Sequence, residues 1–362
     1  MSPEQPIEVP VAIPGATCRV LVGPGLLGRT GRLCAEAGLR GKCAVISDDN
    51  VGTLHGPAVL AALEASGFEA TLLTVPAGET SKSMAAAGDL LERMAAAGLD
   101  RGSFVVALGG GVVGDLAGFV AATYQRGIPF VQIPTTIVAQ VDSSVGGKTG
   151  VNLRAGKNLA GSFHQPRLVL ADTGTLSTLP DREYREGFAE VIKHAAIRDA
   201  SMLDELDPAT PRESLAPLIA RNIAIKAAVV AEDEKELSGA RALLNFGHTI
   251  GHAVENVAGY GEFLHGEAIS IGLAAALAVS ERKCGLSEDD ARRVREKLSA
   301  FGLPLTMPEN LGTDALMAAA AKDKKFSNGK IHFVVVPRLG CAELTSDVTE
   351  EDLREAIDSI RA

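Results

Sequence analysis

Three histidines, a glutamate and a lysine in the C-terminal half have the residue types of a metal site. Glu190 and Lys193, in Ala189-Glu-Val-Ile-Lys193-His, lie three apart and so share a helix face. His248 and His252, in Asn245-Phe-Gly-His248-Thr-Ile-Gly-His252, lie four apart, again on one face. His265 follows in Leu264-His-Gly-Glu267, so three of the seven histidines fall within 18 residues. Imidazoles with a carboxylate suit zinc or a similar ion. The HxxxH spacing suggests that His248 and His252 are both ligands. Two histidines packed at a helix interface would have the same spacing.

A second constellation precedes it. Leu108-Gly-Gly-Gly-Val-Val-Gly-Asp115 follows an apolar run and opens a helical one. Glycines there let the backbone approach a pyrophosphate at a positive helix N-terminus, although a tight turn alone would also use them. The spacing is not the GxGxxG fingerprint, and Asp48, placed to bind a ribose hydroxyl, comes before the glycines rather than after them. A dinucleotide in an unusual topology is the reading. Further on, Pro134-Thr-Thr136, Val141-Asp-Ser-Ser-Val-Gly-Gly-Lys148-Thr and Gly156-Lys157-Asn158 set lysines and hydroxyls beside glycine turns. That suits phosphate, while a hairpin with solvated lysines is the plainer alternative.

Repeated strand–helix alternation must position these groups. Cys43–Ser47, Thr71–Val75, Phe104–Leu108, Pro129–Ile133 and Leu168–Ala171 read as buried strands, with helical stretches such as 83–97 and 113–123 between them. This pattern predicts a Rossmann-like parallel sheet with helices on its faces and ligands at the carboxyl ends of its strands. From about Leu179 helical periodicity takes over, at 182–198, 211–231, 242–257, 266–283 and 288–300, and only Ile331–Val336 looks like a strand. The expected division is an α/β nucleotide domain over 1–175 and a mainly helical domain over 176–362.

Composition narrows the function. With 362 residues, 46% hydrophobic and 22% charged, the chain is globular. A net charge of -10 argues against a nucleic-acid partner but permits an anionic small substrate. Five scattered cysteines without a CxxC pair read as reduced thiols. The N-terminus lacks the basic and apolar regions of a signal peptide, and no apolar stretch is long enough to span a bilayer. A soluble cytoplasmic protein is expected.

Taken together the motifs resemble the 3-dehydroquinate synthase family. The resemblance runs nearly the whole chain: Gly78-Glu79-Thr-Ser-Lys82, GGGVVGD (109–115), Ala122-Thr-Tyr-Gln-Arg126-Gly, PTT (134–136), VDSSVGGKTG (141–150), AEVIKH (189–194), LLNFGHTIGHA (243–253), LHGE (264–267) and Asp323-Lys324-Lys325. It implies a divalent metal, Zn²⁺ or Co²⁺, on Glu190, His248 and His265, with His252 turned to the substrate instead. It implies NAD beside Asp48, Asn50, Glu79, Thr80, Ser81, Lys82, Gly111, Val112, Val113, Gly114, Asp115, Thr135, Thr136, Asp142, Lys148, Lys157, Thr175, Leu176, Ser177 and Thr178. Substrate would meet Lys148, Asn158, Lys193, Lys226, Glu236, Arg241, Asn245, His252 and one of Lys324 or Lys325. Arg126 would reach the phosphate from the partner subunit of a homodimer. The loop from Asp233 to Arg241 is one residue longer than the family's usual form, which leaves the role of Glu236 open.

The implied activity converts 3-deoxy-D-arabino-heptulosonate 7-phosphate to 3-dehydroquinate and phosphate, the second step of the shikimate pathway. A temporary oxidation acidifies a C–H, phosphate leaves by β-elimination, and reduction, ring opening and an aldol step close the carbocycle. Three rivals remain in view: a glycerol-dehydrogenase-like alcohol dehydrogenase, a related sugar-phosphate cyclase, and a non-enzymatic NAD-binding scaffold. Arg241 and Asn245 speak against the second, and intact lysine and metal sets against the third.

Overall fold

The computed structural model describes residues 5–13, 16–234, 236, 239–259, 261–321, 326–327 and 330–361. Lys324 and Lys325 therefore lie outside the described residues. The chain forms two compact units, Met1–Leu179 with Pro211–Lys235, and Pro180–Thr210 with Glu236–Ala362. It crosses between them three times, where the sequence suggested one crossing near residue 176.

The first unit is built on a seven-stranded sheet. Its strands are β1 (Ile7–Ile13), β2 (Ala16–Gly23), β3 (Lys42–Asp48), β4 (Glu69–Val75), β5 (Phe104–Gly109), β6 (Phe130–Pro134) and, after the β7 (Lys148–Leu153) and β8 (Gly156–Phe163) hairpin, β9 (Leu168–Asp172). The order is β1-β2-β9-β6-β5-β3-β4, parallel except for the β1–β2 pair. Helices α1 (Thr30–Glu36), α2 (Asp49–Glu64), α3 (Met84–Ala96) and α4 (Gly111–Thr123) connect the strands.

Because side chains alternate along a strand, β3 serves both faces. Ala44 and Ile46 join Leu90 and Met94 of α3 and Leu116 and Val120 of α4. Val45 joins Val106, Leu108 and Leu170 with Leu33 of α1 and Val59 and Leu63 of α2. Burial of each such Val, Leu, Ile or Met side chain contributes roughly 1.5–3 kcal/mol relative to exposure. Double-sided burial explains why these strands read as unbroken apolar runs.

Past the sheet the chain forms α5 (Asp181–Glu186), α6 (Phe188–Arg198) and the short α7 (Met202–Glu205), which belong to the second unit. Helix α8 (Ala216–Glu232) then returns to the first. It lays Ile219, Ile223, Ala227 and Val230 into the interior and packs on β1, so the antiparallel edge pair gains a cover. Lys226 on the same helix pairs with Asp142, Nζ to Oδ1 2.8 Å.

In the second unit the remaining helices are α9 (His248–Ala258), α10 (His265–Cys284), α11 (Glu288–Ala300), α12 (Thr313–Ala320) and α13 (Glu350–Ser359). A two-residue ribbon, β10 (Phe326–Ser327) with β11 (Lys330–Ile331), and the hairpin β12 (Phe333–Arg338) with β13 (Cys341–Thr345) complete it. Helix α10 is central: α6, α9, α11, α13 and β12 all pack on it. The stretch expected as one helix over 182–198 divides at Gly187 into α5 and α6. The stretch over 242–257 begins as a 3-10 turn through Asn245, and regular helix starts at His248 after Gly247, whose φ of 79° is left-handed.

Candidate metal centre and dinucleotide cradle

Three helices of the second unit bring the metal-type residues together. Helix α6 carries Glu190 and Lys193, both fully buried and ion-paired through Glu190 Oε2. Helix α9 adds His248, and α10 starts with His265. Each histidine turns Nε2 toward Glu190 Oε1 at 3.5 Å. That oxygen is buried without a hydrogen-bond partner among the described residues, an arrangement that costs stability unless a ligand completes it.

The outer ring nitrogens face acceptors. His248 Nδ1 lies 3.2 Å from the Phe246 carbonyl and His265 Nδ1 lies 3.6 Å from Glu255 Oε1. Glu190, His248 and His265 have ligand atoms all within 4.8 Å of one another, and so do His252, Glu255 and His265. His248 and His252 fall in different groups, with rings 5.2 Å apart and T-shaped. His252 is exposed whereas His248 is buried.

Charge follows this geometry. Burial opposes ionisation of Glu190, but Lys193, His248 and His265 outweigh it and hold the carboxyl well below its usual range. Burial, helped by Lys193, pushes His248 well down. Burial also acts against charge on His265, yet Glu190 and Glu255 raise it to about 10. The carboxylates thus draw positive charge to one point. One carboxylate oxygen and two imidazoles form a donor set suited to Zn²⁺ or Co²⁺, and a cation there would satisfy the orphaned Oε1.

The start of α10 is anchored independently. Glu267 Oε2 accepts from Leu264 N at 2.8 Å, and Glu186 Oε2 accepts from Gly266 N at 2.5 Å. Only glycine fits at 266, because a Cβ would stand 1.9 Å from the Glu186 carbonyl oxygen. Arg182 grips both oxygens of Glu267 at 2.7 and 2.8 Å. Nearby in sequence, buried Arg241 faces Glu236 at 3.7 Å, with Glu236 at a left-handed φ of 56°, and Asn245 is half-buried at the end of its turn.

The sheet unit presents a different kind of surface. At the carboxyl end of β5, Gly110 and Gly111 lead into α4. At the end of β3, Asp48 caps α2, accepting from Asn50 N and Val51 N at 2.9 Å each. Lys82 and Asp115 form a partly buried pair at 2.5 Å. Glu79 accepts from Asn152 Nδ2 at 2.7 Å, and Asn152 Oδ1 accepts from Asn158 N at 2.9 Å. Asn158 has a φ of 56°. Lys148 and Lys157 are exposed on the β7–β8 hairpin.

Several other residues of this set are engaged within the fold. Thr136 Oγ1 accepts from Ala139 N at 3.1 Å, while Thr135 Oγ1 is buried without a partner among the described residues. Ser81 Oγ donates to Pro76 O, Thr175 Oγ1 to Asp172 O and Ser177 Oγ to Gly174 O. Thr178 Oγ1 meets His55 Nε2 at 2.9 Å. Val113 and Leu176 are buried, Val112 and Gly114 line the first turns of α4, and Thr80 is exposed. Arg126 is exposed in a strained turn: Gln125 and Arg126 both have left-handed φ, 51° and 69°.

Comparison with known proteins supplies the name of this arrangement. Residues 72–186 match the family described as 3-dehydroquinate synthase N-terminal, and residues 187–326 match 3-dehydroquinate synthase C-terminal. The 3-dehydroquinate synthase of Caulobacter vibrioides (strain NA1000 / CB15N) is 47% identical over 358 residues, covering 96% of both chains. The chain belongs to the 3-dehydroquinate synthase family. Solved structures of sugar-phosphate cyclases are similar to it as well. ValA, a 2-epi-5-epi-valiolone synthase from Streptomyces hygroscopicus subsp. jinggangensis 5008 solved with NAD⁺ and Zn²⁺ bound, gives a TM-score of 0.87 at 31% identity, over 96% of this chain and 98% of that one. A 2-deoxy-scyllo-inosose synthase complexed with carbaglucose-6-phosphate, NAD⁺ and Co²⁺ gives 0.89 at 27%, over 98% and 100%.

Glu255, Glu186 and Asn152 contact residues of these two sites although none of them belongs to the candidate set drawn from the sequence. Glu255 had a signal: it lies seven residues after His248 and three after His252, on the same face of α9. Glu186 and Asn152 had none, since their partners are distant in sequence or are backbone groups.

Proposed function

We propose that this chain converts 3-deoxy-D-arabino-heptulosonate 7-phosphate to 3-dehydroquinate and phosphate, in the cytoplasm and as a homodimer. The carrying observation is its 47% identity over 96% of both chains to a 3-dehydroquinate synthase, well above its identity to the neighbouring cyclases. The donor set of the second unit supports Glu190, His248 and His265 as ligands of Zn²⁺ or Co²⁺. When bound, NAD supplies a reversible hydride acceptor and the metal a Lewis acid that acidifies a hydroxyl.

The protein's own groups do the rest. Lys193 holds Glu190 ionised, so the carboxylate stays a ligand across the neutral range. Arg241, Asn245 and Glu236 in the helical unit orient the sugar hydroxyls and carboxylate, and His252 faces the substrate near its phosphate. Lys148, Asn158 and Lys226 in the sheet unit bring charge and hydrogen bonds to the substrate, and Arg126 serves the partner's phosphate. Charge-assisted donors around the leaving phosphate stabilise the charge that develops as its C–O bond breaks. Asp48, Glu79, Lys82, Asp115 and the Gly109–Gly111 turn would hold the dinucleotide, the turn's main-chain amides suiting its pyrophosphate.

The test follows phosphate and NADH together, with Zn²⁺ or Co²⁺ and NAD far below substrate. The expected result is one phosphate per substrate consumed, sustained turnover and no build-up of NADH absorbance. Stoichiometric NADH without phosphate release would transfer the chain to the alcohol dehydrogenases.

A further inference from the structure

Neither imidazole in the ligand set is self-orienting. A histidine offers a lone pair from one ring nitrogen only when the other carries the proton, and an acceptor at the outer nitrogen decides which. For His248 that acceptor is main chain, the Phe246 carbonyl at 3.2 Å from Nδ1. The two residues are two apart in sequence, so local backbone geometry fixes this ring. His265 has no such main-chain acceptor among the described residues. Its Nδ1 faces a side chain, Glu255 Oε1 at 3.6 Å, while its Nε2 faces Glu190 Oε1 at 3.5 Å.

The need for a second hold on this ring is visible in its exposure. The His265 side chain is 34% exposed against 11% for His248. Packing restrains it less, although the main chain beneath it is secured by Glu186 and by the Arg182–Glu267 pair. Backbone position and ring orientation are thus separate problems at this residue. Helix spacing solves the second: Glu255 sits two turns after His248 on α9, and its side chain is only 15% exposed.

We infer that Glu255 is the positioning residue for His265, setting its Nδ1-protonated tautomer and ring angle so that Nε2 is presented to the cation. This inference rests on the ligand set proposed above. It assigns the two histidines unequal dependence on side-chain support, and it makes metal affinity, rather than fold stability, the property that Glu255 controls. The group His252, Glu255 and His265, whose ligand atoms also lie within 4.8 Å, defines the competing arrangement, in which Glu255 binds a cation itself.

The experiment measures Zn²⁺ and Co²⁺ binding to the full-length protein by competition with a chelator, for wild type, Glu255→Ala, Glu255→Gln and His265→Ala. The visible Co²⁺ spectrum, thermal midpoint and NAD binding are recorded alongside. Glu255→Ala is expected to weaken metal binding about 10–100-fold, shift the Co²⁺ bands, and leave one equivalent bound and NAD affinity unchanged. Glu255→Gln, which keeps an acceptor but not the charge, should fall between and carries the test if the alanine variant does not fold. Wild-type affinity and spectrum in both Glu255 variants would overturn the inference. So would two equivalents in wild type falling to one, because Glu255 would then be a ligand. Unchanged affinity in His265→Ala would instead remove the ligand set itself, which keeps the two failures apart.

Discussion

Each unit contains a lysine ion-paired to a carboxylate beneath its functional surface, and the two pairs differ in one respect that separates their roles. In the sheet unit, Lys82 meets Asp115 at 2.5 Å while 21% of the Asp115 side chain remains open to solvent. Water can satisfy what the lysine does not. In the helical unit, Lys193 takes one oxygen of Glu190 and no solvent reaches the other, which has two imidazole nitrogens at 3.5 Å and no hydrogen bond among the described residues. A satisfied pair positions its surroundings. A half-satisfied buried pair is a site held ready for a cation, because the fold has accepted the desolvation of a carboxylate without completing its partners.

The strongest way to break this contrast is to remove the charge in each pair. Glu190→Gln should lose metal, cut phosphate release by at least about a thousandfold, and destabilise by roughly 3–5 kcal/mol because Lys193 is left buried and unpaired. Asp115→Asn should destabilise less and weaken NAD binding, with metal content unchanged. Urea midpoints and metal analysis would decide the matter. Equal metal loss in the two variants would end the distinction.

A narrower comparison lies inside the helical unit. His265→Ala should lose metal retention, whereas His252→Ala should keep it near normal while lowering kcat about 100-fold. Equal metal loss in both would favour the His248–His252 pairing suggested by spacing alone. In the sheet unit the strained, exposed Arg126 offers the next test. Arg126→Ala mixed and re-annealed with Lys193→Ala should regain part of the activity that each lacks, since one site in the hybrid holds both native groups. No recovery in verified heterodimers would place Arg126 in its own subunit's site or outside the site altogether.

The smallest effect concerns thiols. Burial pushes Cys18, Cys34 and Cys43 up to about 12, so at pH 8 they should react with a thiol reagent far more slowly than exposed Cys341. A fast phase that survives Cys341→Ser would contradict this.

What was legible in advance follows from the range of each signal. The strands at Cys43–Ser47 and Phe104–Leu108 were readable because full burial on both faces writes an apolar run into the chain itself. The antiparallel β1–β2 pair was not, since Pro10, Arg19 and half-exposed positions interrupt its pattern. Periodicity marked a helix over 211–231, where α8 lies, but could not say what it packs against. Its partner, β1, lies some 200 residues earlier, and only tertiary packing returns it to the sheet unit. The same limit applies to the metal centre. Spacing within one helix pairs His248 with His252, because local geometry sees a shared face and nothing beyond it. Glu190, His248 and His265 come from three helices, and which nitrogens converge on Glu190 Oε1 depends on how α6, α9 and α10 pack. The sequence by itself determined the residue types, the glycine turn and the family. Tertiary structure decided which oxygen is left without a partner, because that is a property of burial and burial belongs to the whole fold.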